Sequence, residues 1–215
     1  MALALGERLL QSRYLDETRR HARDLAPAVA ELLGQQGWRP RDVQGVIVSI
    51  GPGSYTGLRV GIMSAKTFAY ATGCALLGVD TFPAIALQVP VEVARVQVMA
   101  DAQQEKIYVQ QFARQQGGRG WVAESSLTIE PFADWLVCRE KTAWITGPGL
   151  RAHENRLPAG SRVAPESAWD PQPQSLLHLG LARLRQGKAD HFWALEPLYL
   201  RPSSAEEKWR ARLHA

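Results

Sequence analysis

VIVSIGPGSYTGLRVG, residues 46–61, is the stretch from which the rest of the chain is read. Its first five residues, 46–50, are short and apolar, the pattern of a buried strand. A glycine- and proline-rich turn, 51–57, follows, and an apolar helical pattern covers 58–71. Strand, glycine turn and helix in that order belong to an α/β protein. Such a junction points backbone N–H groups and a positive helix end at one spot, so it can hold an anion. Its spacing matches neither G-x-x-x-x-G-K-[ST], since no lysine follows Gly57, nor G-x-G-x-x-G. Ser54 or Thr56 can also cap the helix with no ligand present. Gly51, Gly53, Ser54 and Thr56 are therefore a candidate nucleotide or anion loop, with a purely structural turn and cap as the other reading.

The helix itself carries a second feature. Gly57, Gly61, Ala65, Ala69 and Gly73 recur at every fourth residue and form a smooth stripe. Small residues let another backbone approach closely. The stripe fits packing on the chain's own sheet or against a partner subunit, and the residues alone leave both open. Arg59 and Lys66 flank it as candidates for surface ion pairs, which are worth little.

Upstream, residues 1–5 and 8–14 read as a hairpin turning at Gly6. A helix follows within 18–33, with Leu25, Val29, Leu32 and Leu33 on one face. Either Asp24 caps a helix that takes Pro27 in its first turn, or an earlier helix kinks there. Gly34 reads as the stop. Downstream, 74–79 is the next buried strand and 82–88 a short helix. Strands are expected at 93–99, 107–112 and 121–125, then a helix near 131–137 and a strand at 144–146. Residues 151–173 read as irregular, 174–186 as a helix and 198–200 as a last strand. The pattern divides into an N-terminal lobe, 1–92, a C-terminal lobe, 93–202, and a polar tail, 203–215.

The 215 residues suit one large domain or two small ones, and 46% hydrophobic with 21% charged residues excludes a disordered chain. The formal charge is only +4 with no basic arm, which argues against tight unaided nucleic-acid binding. Cys74 and Cys138 lie far apart without a CxxC, so neither a disulfide framework nor a zinc knuckle is expected, and the natural setting is a reducing cytoplasm. No apolar run reaches membrane-spanning length, so no membrane partner is expected.

Candidate catalytic sets are thin. His21, His153, His178, His191 and His214 show no H-x-x-x-H spacing, and each reads as a surface or helix-end residue. Asp101 and Glu105 flank a turn and suit a metal or hydroxyl less well than a solvated acid pair. No G-x-S-x-G elbow occurs. The tryptophans read as core and lobe-interface filler.

Residues 46–81, VIVSIGPGSYTGLRVGIMSAKTFAYATGCALLGVDT, resemble the signature region of the TsaB family, also called YeaZ. Residues 100–108, ADAQQEKIY, are similar to that family's DARxxEVY segment, with Gln103 where arginine is usual. Glu196-Pro197-Leu198-Tyr199-Leu200-Arg201 resembles its closing PxYLR, and His21 with Leu25-Ala26-Pro27 matches its first helix. The resemblance implies two RNase-H-like lobes of the actin-like ATPase (sugar kinase and actin) superfamily. It implies a non-catalytic subunit in synthesis of tRNA N6-threonylcarbamoyladenosine, next to the anticodon. The implied partners are a TsaD-like catalytic subunit, a TsaE-like ATPase and, through the complex, tRNA, with a homodimer as the form when alone.

The catalytic paralogues carry an H-x-x-x-H metal pair just after the matching strand. Thr81 and Ile85 stand there in this chain, and neither offers an imidazole. No catalytic residue, metal or intrinsic cofactor is therefore expected, with a nucleotide at the partner interface the one cofactor left open. The family's subunit contact is a bundle of N-terminal helices, which makes Leu25, Val29, Gly57, Gly61 and Ala65 the expected partner-binding residues. Family members normally open with a strand ending near "AIDTS". Met1-Ala-Leu-Ala-Leu matches the second strand, so the first is expected to be missing, through a start placed too late. The rival readings are an ATP-binding kinase or carbamoyltransferase-like enzyme of the same superfamily, and a homodimeric scaffold unrelated to tRNA.

Overall fold

A computed structural model describes residues 1–14, 21–115 and 120–200. The expected tail, 203–215, and the start of the first helix lie outside the described residues. Ala2–Leu5 (β1) and Arg8–Ser12 (β2) form the expected antiparallel hairpin. His21–Gln35 (α1) buries Ala28, Leu32 and Leu33. Asp24 lies in the first turn of α1 rather than at its cap, and the helix continues through Pro27, whose ring lies on an exposed side. Gly34 is not the stop. The Gly37 N–H bonds to the Gly34 carbonyl at 3.0 Å and the Trp38 N–H to Leu33 at 2.9 Å, closing a Schellman turn. Gly37, at φ +68°, takes its left-handed position, which costs a side-chain-bearing residue more.

Gly45–Gly51 (β3), Tyr55–Thr72 (α2) and Ala75–Asp80 (β4) make a β-α-β unit, β3 parallel to β4 with Val46 beside Leu76 and Val48 beside Gly78. Residues 46–50 were expected to be buried, yet all are half-exposed. Strand β3 pairs with β4 alone among the described strands, so its other edge lacks a neighbouring ladder. A short helix, Thr81–Ala86 (α3), follows and is buried at every position except half-buried Pro83.

The remaining strands make one sheet. Arg95–Asp101 (β5) pairs antiparallel with Lys106–Arg114 (β6), which also holds Trp121–Ala123 (β7) and Thr128–Pro131 (β8). The sequence pattern missed β8, whose Glu130 and Pro131 mask its alternation. Phe132–Cys138 (α4) leads to Trp144–Thr146 (β9), parallel to β5. Leu150–His153 (α5) and two turns of 3₁₀-helix lie in the stretch expected to be irregular. One apolar cluster joins α3 to one face of this sheet through Phe82, Ile85, Val96 and Val98. A second, under α4 on the other face, gathers Met99, Ile107, Val109, Phe132 and Trp135.

The closing part of the chain returns to the first strands. Pro173–Arg185 (α6) packs on β3 and β4 instead of the later sheet. A Cβ on Gly180 would stand 2.5–2.8 Å from Ile47, so only glycine lets the helix sit this close. Leu195 joins α2 and β4 in a third cluster with Ile62, Ala65, Ala69 and Leu76. Residues 198–200 form no strand, and a single bond, from the Leu198 N–H to the Ile50 carbonyl at 2.8 Å, ties them to β3. The physical reason is cover. The half-exposed apolar strand needs another layer, and α6 supplies it, with Gly180 against Ile47.

A polar clamp fixes that return. The Asp190 carboxylate accepts from the Gly78 N–H at 2.7 Å and from two guanidinium nitrogens of Arg183 at 2.9 and 2.8 Å. Arg183 also donates to the Gly78 carbonyl. Replacing Asp190 by Ala leaves a β4 N–H and a guanidinium without their acceptor. The expected loss is about 1–3 kcal/mol of stability, read as a lower urea midpoint.

Candidate functional site

The turn read as either an anion loop or a structural cap does carry a cap from the chain itself. Ser54 caps α2, its Oγ accepting from the Gly57 N–H at 3.2 Å and its carbonyl from the Leu58 N–H at 2.8 Å. Gly51 is buried at φ +118°, and a Cβ there would lie 3.1 Å from Leu58 and 3.4 Å from the Leu198 carbonyl. Gly53, Ser54 and Thr56 are exposed beside it. The aromatic rings of Tyr55 and Tyr199 stand 5.0 Å apart at this helix start. Arg59 lies 4.5 Å from the Tyr55 ring and donates to the Tyr199 hydroxyl at 2.8 Å. The local spacing gave no sign of this cluster, although Tyr199 stands within the closing motif. The arrangement makes a capped helix start roofed by an arginine and two tyrosines.

The small-residue stripe divides along its length. Gly57 is exposed, but a Cβ on Gly61 would lie 3.8 Å from Val48 of β3. Ala65 and Ala69 are 6% and 4% exposed within the third cluster. From Gly61 to Ala69 the stripe therefore packs on the chain's own sheet, and Gly73, past the helix end, is exposed again. Leu25 and Val29 are half-buried on α1, which packs beside α2. The outward side of α2 shows Arg59, Met63 and Tyr70 instead. Lys66 donates to the Leu195 carbonyl at 3.1 Å and so ties α2 to the closing segment.

At the carboxyl ends of β3 and β4, the Ser49 and Thr81 hydroxyls share a hydrogen bond of 2.6 Å, and Ile85 is fully buried. Both positions that matched a metal pair in the paralogues are thus committed to packing inside the protein. Asp80 stands beside them, its carboxyl pushed up by partial burial and drawn back by Arg183. Among the described residues, no group of three or more His, Cys, Asp or Glu side chains is placed to hold a metal ion.

The turn between β5 and β6 is tighter than an ordinary one. Gln103, Gln104 and Glu105 all have positive φ, at 62°, 54° and 59°, and Asp101 accepts from the Gln103 N–H at 2.8 Å. Glu105 pairs with Arg156 at 2.7 Å. His153 ends α5 as expected of a helix-end residue, but it is buried, stacked 4.3 Å from the Phe132 ring. Trp193, expected as filler, is 72% exposed beside Tyr70.

Two outcomes follow from these placements. Gly61→Leu drives a side chain into Val48 and lowers stability by about 1–3 kcal/mol in urea unfolding, before any effect on association. The His153 imidazole is held below its ordinary range by burial, then by the Arg156 charge, against weaker pulls from Asp101 and Glu105. The unfolded chain therefore binds a proton more readily than the folded one, so stability is full above the ordinary imidazole range and falls as pH drops through it. A urea-midpoint series from about pH 7.5 to pH 5.5 tests this. His153→Gln should flatten its slope.

Comparison with known proteins follows the same lines. A family model described as "TsaD: tRNA N6-adenosine threonylcarbamoyltransferase" matches residues 15–129. The tRNA threonylcarbamoyladenosine biosynthesis protein TsaB of Bacillus subtilis is 26% identical over 88% of this chain and 83% of its own. Its Escherichia coli counterpart is 24% identical over 88% and 84%. A Pseudomonas aeruginosa structure described as similar to the peptidase YeaZ superposes with a TM-score of 0.76, at 25% identity, over 93% of both chains.

Proposed function

The chain belongs to the TsaD family, tRNA N6-adenosine threonylcarbamoyltransferase, as one of its TsaB (YeaZ) members, and we propose that it is the non-catalytic subunit of tRNA N6-threonylcarbamoyladenosine synthesis. It binds and activates a TsaD-like subunit, which carries out the transfer to the adenosine next to the anticodon. A TsaE-like ATPase joins the complex, and the tRNA is held largely by these partners in the cytoplasm. The reading takes the strands before and after residue 92 as the cores of two RNase-H-like halves of an actin-like fold. One observation carries the non-catalytic part. The metal-pair positions hold a threonine hydroxyl bonded to Ser49 and an isoleucine with no exposed surface.

The partner surface belongs on α1 and the outward side of α2. Leu25 and Val29 contribute half-buried apolar surface, Gly57 is open, and Met63 is 61% exposed. Gly61 and Ala65 act on this surface only by setting α2 close to β3. Apolar exposure at the centre of a helix pair is the usual core of such an interface.

The reaction reconstituted from TsaD-like and TsaE-like proteins with tRNA should yield the modified adenosine when this chain is added, and the chain alone should yield none. Met63→Asp should leave the circular dichroism spectrum unchanged and weaken co-purification with the TsaD-like subunit at least tenfold, about 1.4 kcal/mol. ATP turnover by the isolated chain that Gly53→Ala abolishes would instead support the kinase-like reading. A nucleotide at the turn is tested by the same variant, since Gly53 is exposed and its replacement meets nothing closer than Leu58 at 4.0 Å.

A further inference from the structure

The sheet around β5 and β6 changes character beneath the C-terminal end of α4. Met99, Ile107 and Val109 of this face lie in the apolar cluster, but the next positions along it are Gln97 and Gln111, paired across the two strands. A groove of about 450 Å³ opens there between the sheet, the Ser125–Glu130 stretch, and Trp135 and Arg139 of the α4 end. That is the size of a small-molecule site.

The hydrogen bonds fix which way both amides point. Carboxylates only accept, so the NH₂ of Gln111 faces Glu124 and Glu140, at 2.9 Å each. Its oxygen is left to accept from the Gln97 NH₂ at 2.9 Å. The Gln97 oxygen is then a buried acceptor with no donor. Across the groove the lack is reversed. The Trp135 Nε1–H and the Arg139 Nε and Nη1 groups are buried donors with no acceptor, and only Nη2 of Arg139 is engaged, on Ser161 at 2.9 Å. Arg139 is 9% exposed and pairs with no carboxylate among the described residues. Water can satisfy an amide oxygen or an indole, but it leaves a buried guanidinium without a counter-charge.

We propose that this groove binds a free α-amino acid. The carboxylate is set against Arg139 and Trp135, and the ammonium against the Gln97 oxygen with the Glu130 carboxylate at the rim. Unpartnered donors bearing a positive charge call for an anion, and the fixed acceptor opposite calls for an N–H donor. A small zwitterion brings both in one molecule of the groove's size.

The test uses the full chain labelled with ¹⁵N, with the Trp135 indole resonance assigned through Trp135→Phe. L-Alanine is titrated against it, with acetate and ethylamine as the two half-ligands. A saturable shift with L-alanine is expected, with binding at least about tenfold weaker for each half-ligand. Arg139→Gln should weaken L-alanine binding by a similar factor, and so should Gln97→Met, which keeps the shape of the side chain and removes the acceptor. Should Arg139→Gln fail to fold, Gln97→Met alone decides. No saturable shift in the unaltered chain, acetate binding as well as L-alanine, or an unchanged titration in the folded variants would each overturn the proposal.

Discussion

Strand β3 has to be covered on both faces, and much of the molecule is arranged to do it. With β4 alone beside it among the described strands, an apolar strand of this length would otherwise leave valine and isoleucine in water. Alternation along the strand turns Val48 to α2 and Ile47 to α6, and at each contact the facing helix presents a glycine, Gly61 and Gly180. Only at Gly180 does the approach exclude a side chain, since a Cβ on Gly61 would meet Val48 at an ordinary 3.8 Å. The position of the Gly51 turn, the tyrosine and arginine roof over it, and the Asp190 clamp all follow from bringing the closing segment to this strand.

Elements with a single clear period were legible in the sequence. The hairpin, α2, β4 and β9 fall within a few residues of where alternation or helical spacing placed them. Errors arose where a local signal competed with a distant contact. Gly34 and Gly37 are equivalent to a local reading, and only the hydrogen bonds to Leu33 and Gly34 select Gly37. The return of α6 and Leu195 to β3 and β4 has no local signal, because burial is decided in space. The turn at 51–57 was legible as a helix start, whereas its roof depends on Tyr199, far along the chain. The Gln97–Gln111 pair and Arg139 carry no motif at all, and their interest lies in which hydrogen bonds they lack.

The stripe of small residues shows how one pattern serves two ends. At Gly57 it is open, from Gly61 to Ala69 it is the chain's own packing surface, and the exposed apolar side chain of the helix, Met63, lies to one side of it. The strand–turn–helix junction satisfies several of its own polar groups. Ser54 supplies the acceptor for a helix-start N–H, and Ser49 and Thr81 satisfy each other. Loss of chemistry at such a site need not weaken the fold around it.

The return of the closing segment also has a consequence during synthesis. A ribosome delivers β3 and β4, which are complete at Asp80, well before α6, which begins at Pro173, and Leu198, the pieces that complete their cover. Until then the nascent chain carries an apolar strand with an open edge, while the intervening sheet, built from neighbouring strands, can already form. An early strand of the protein is therefore among the last to be fully covered.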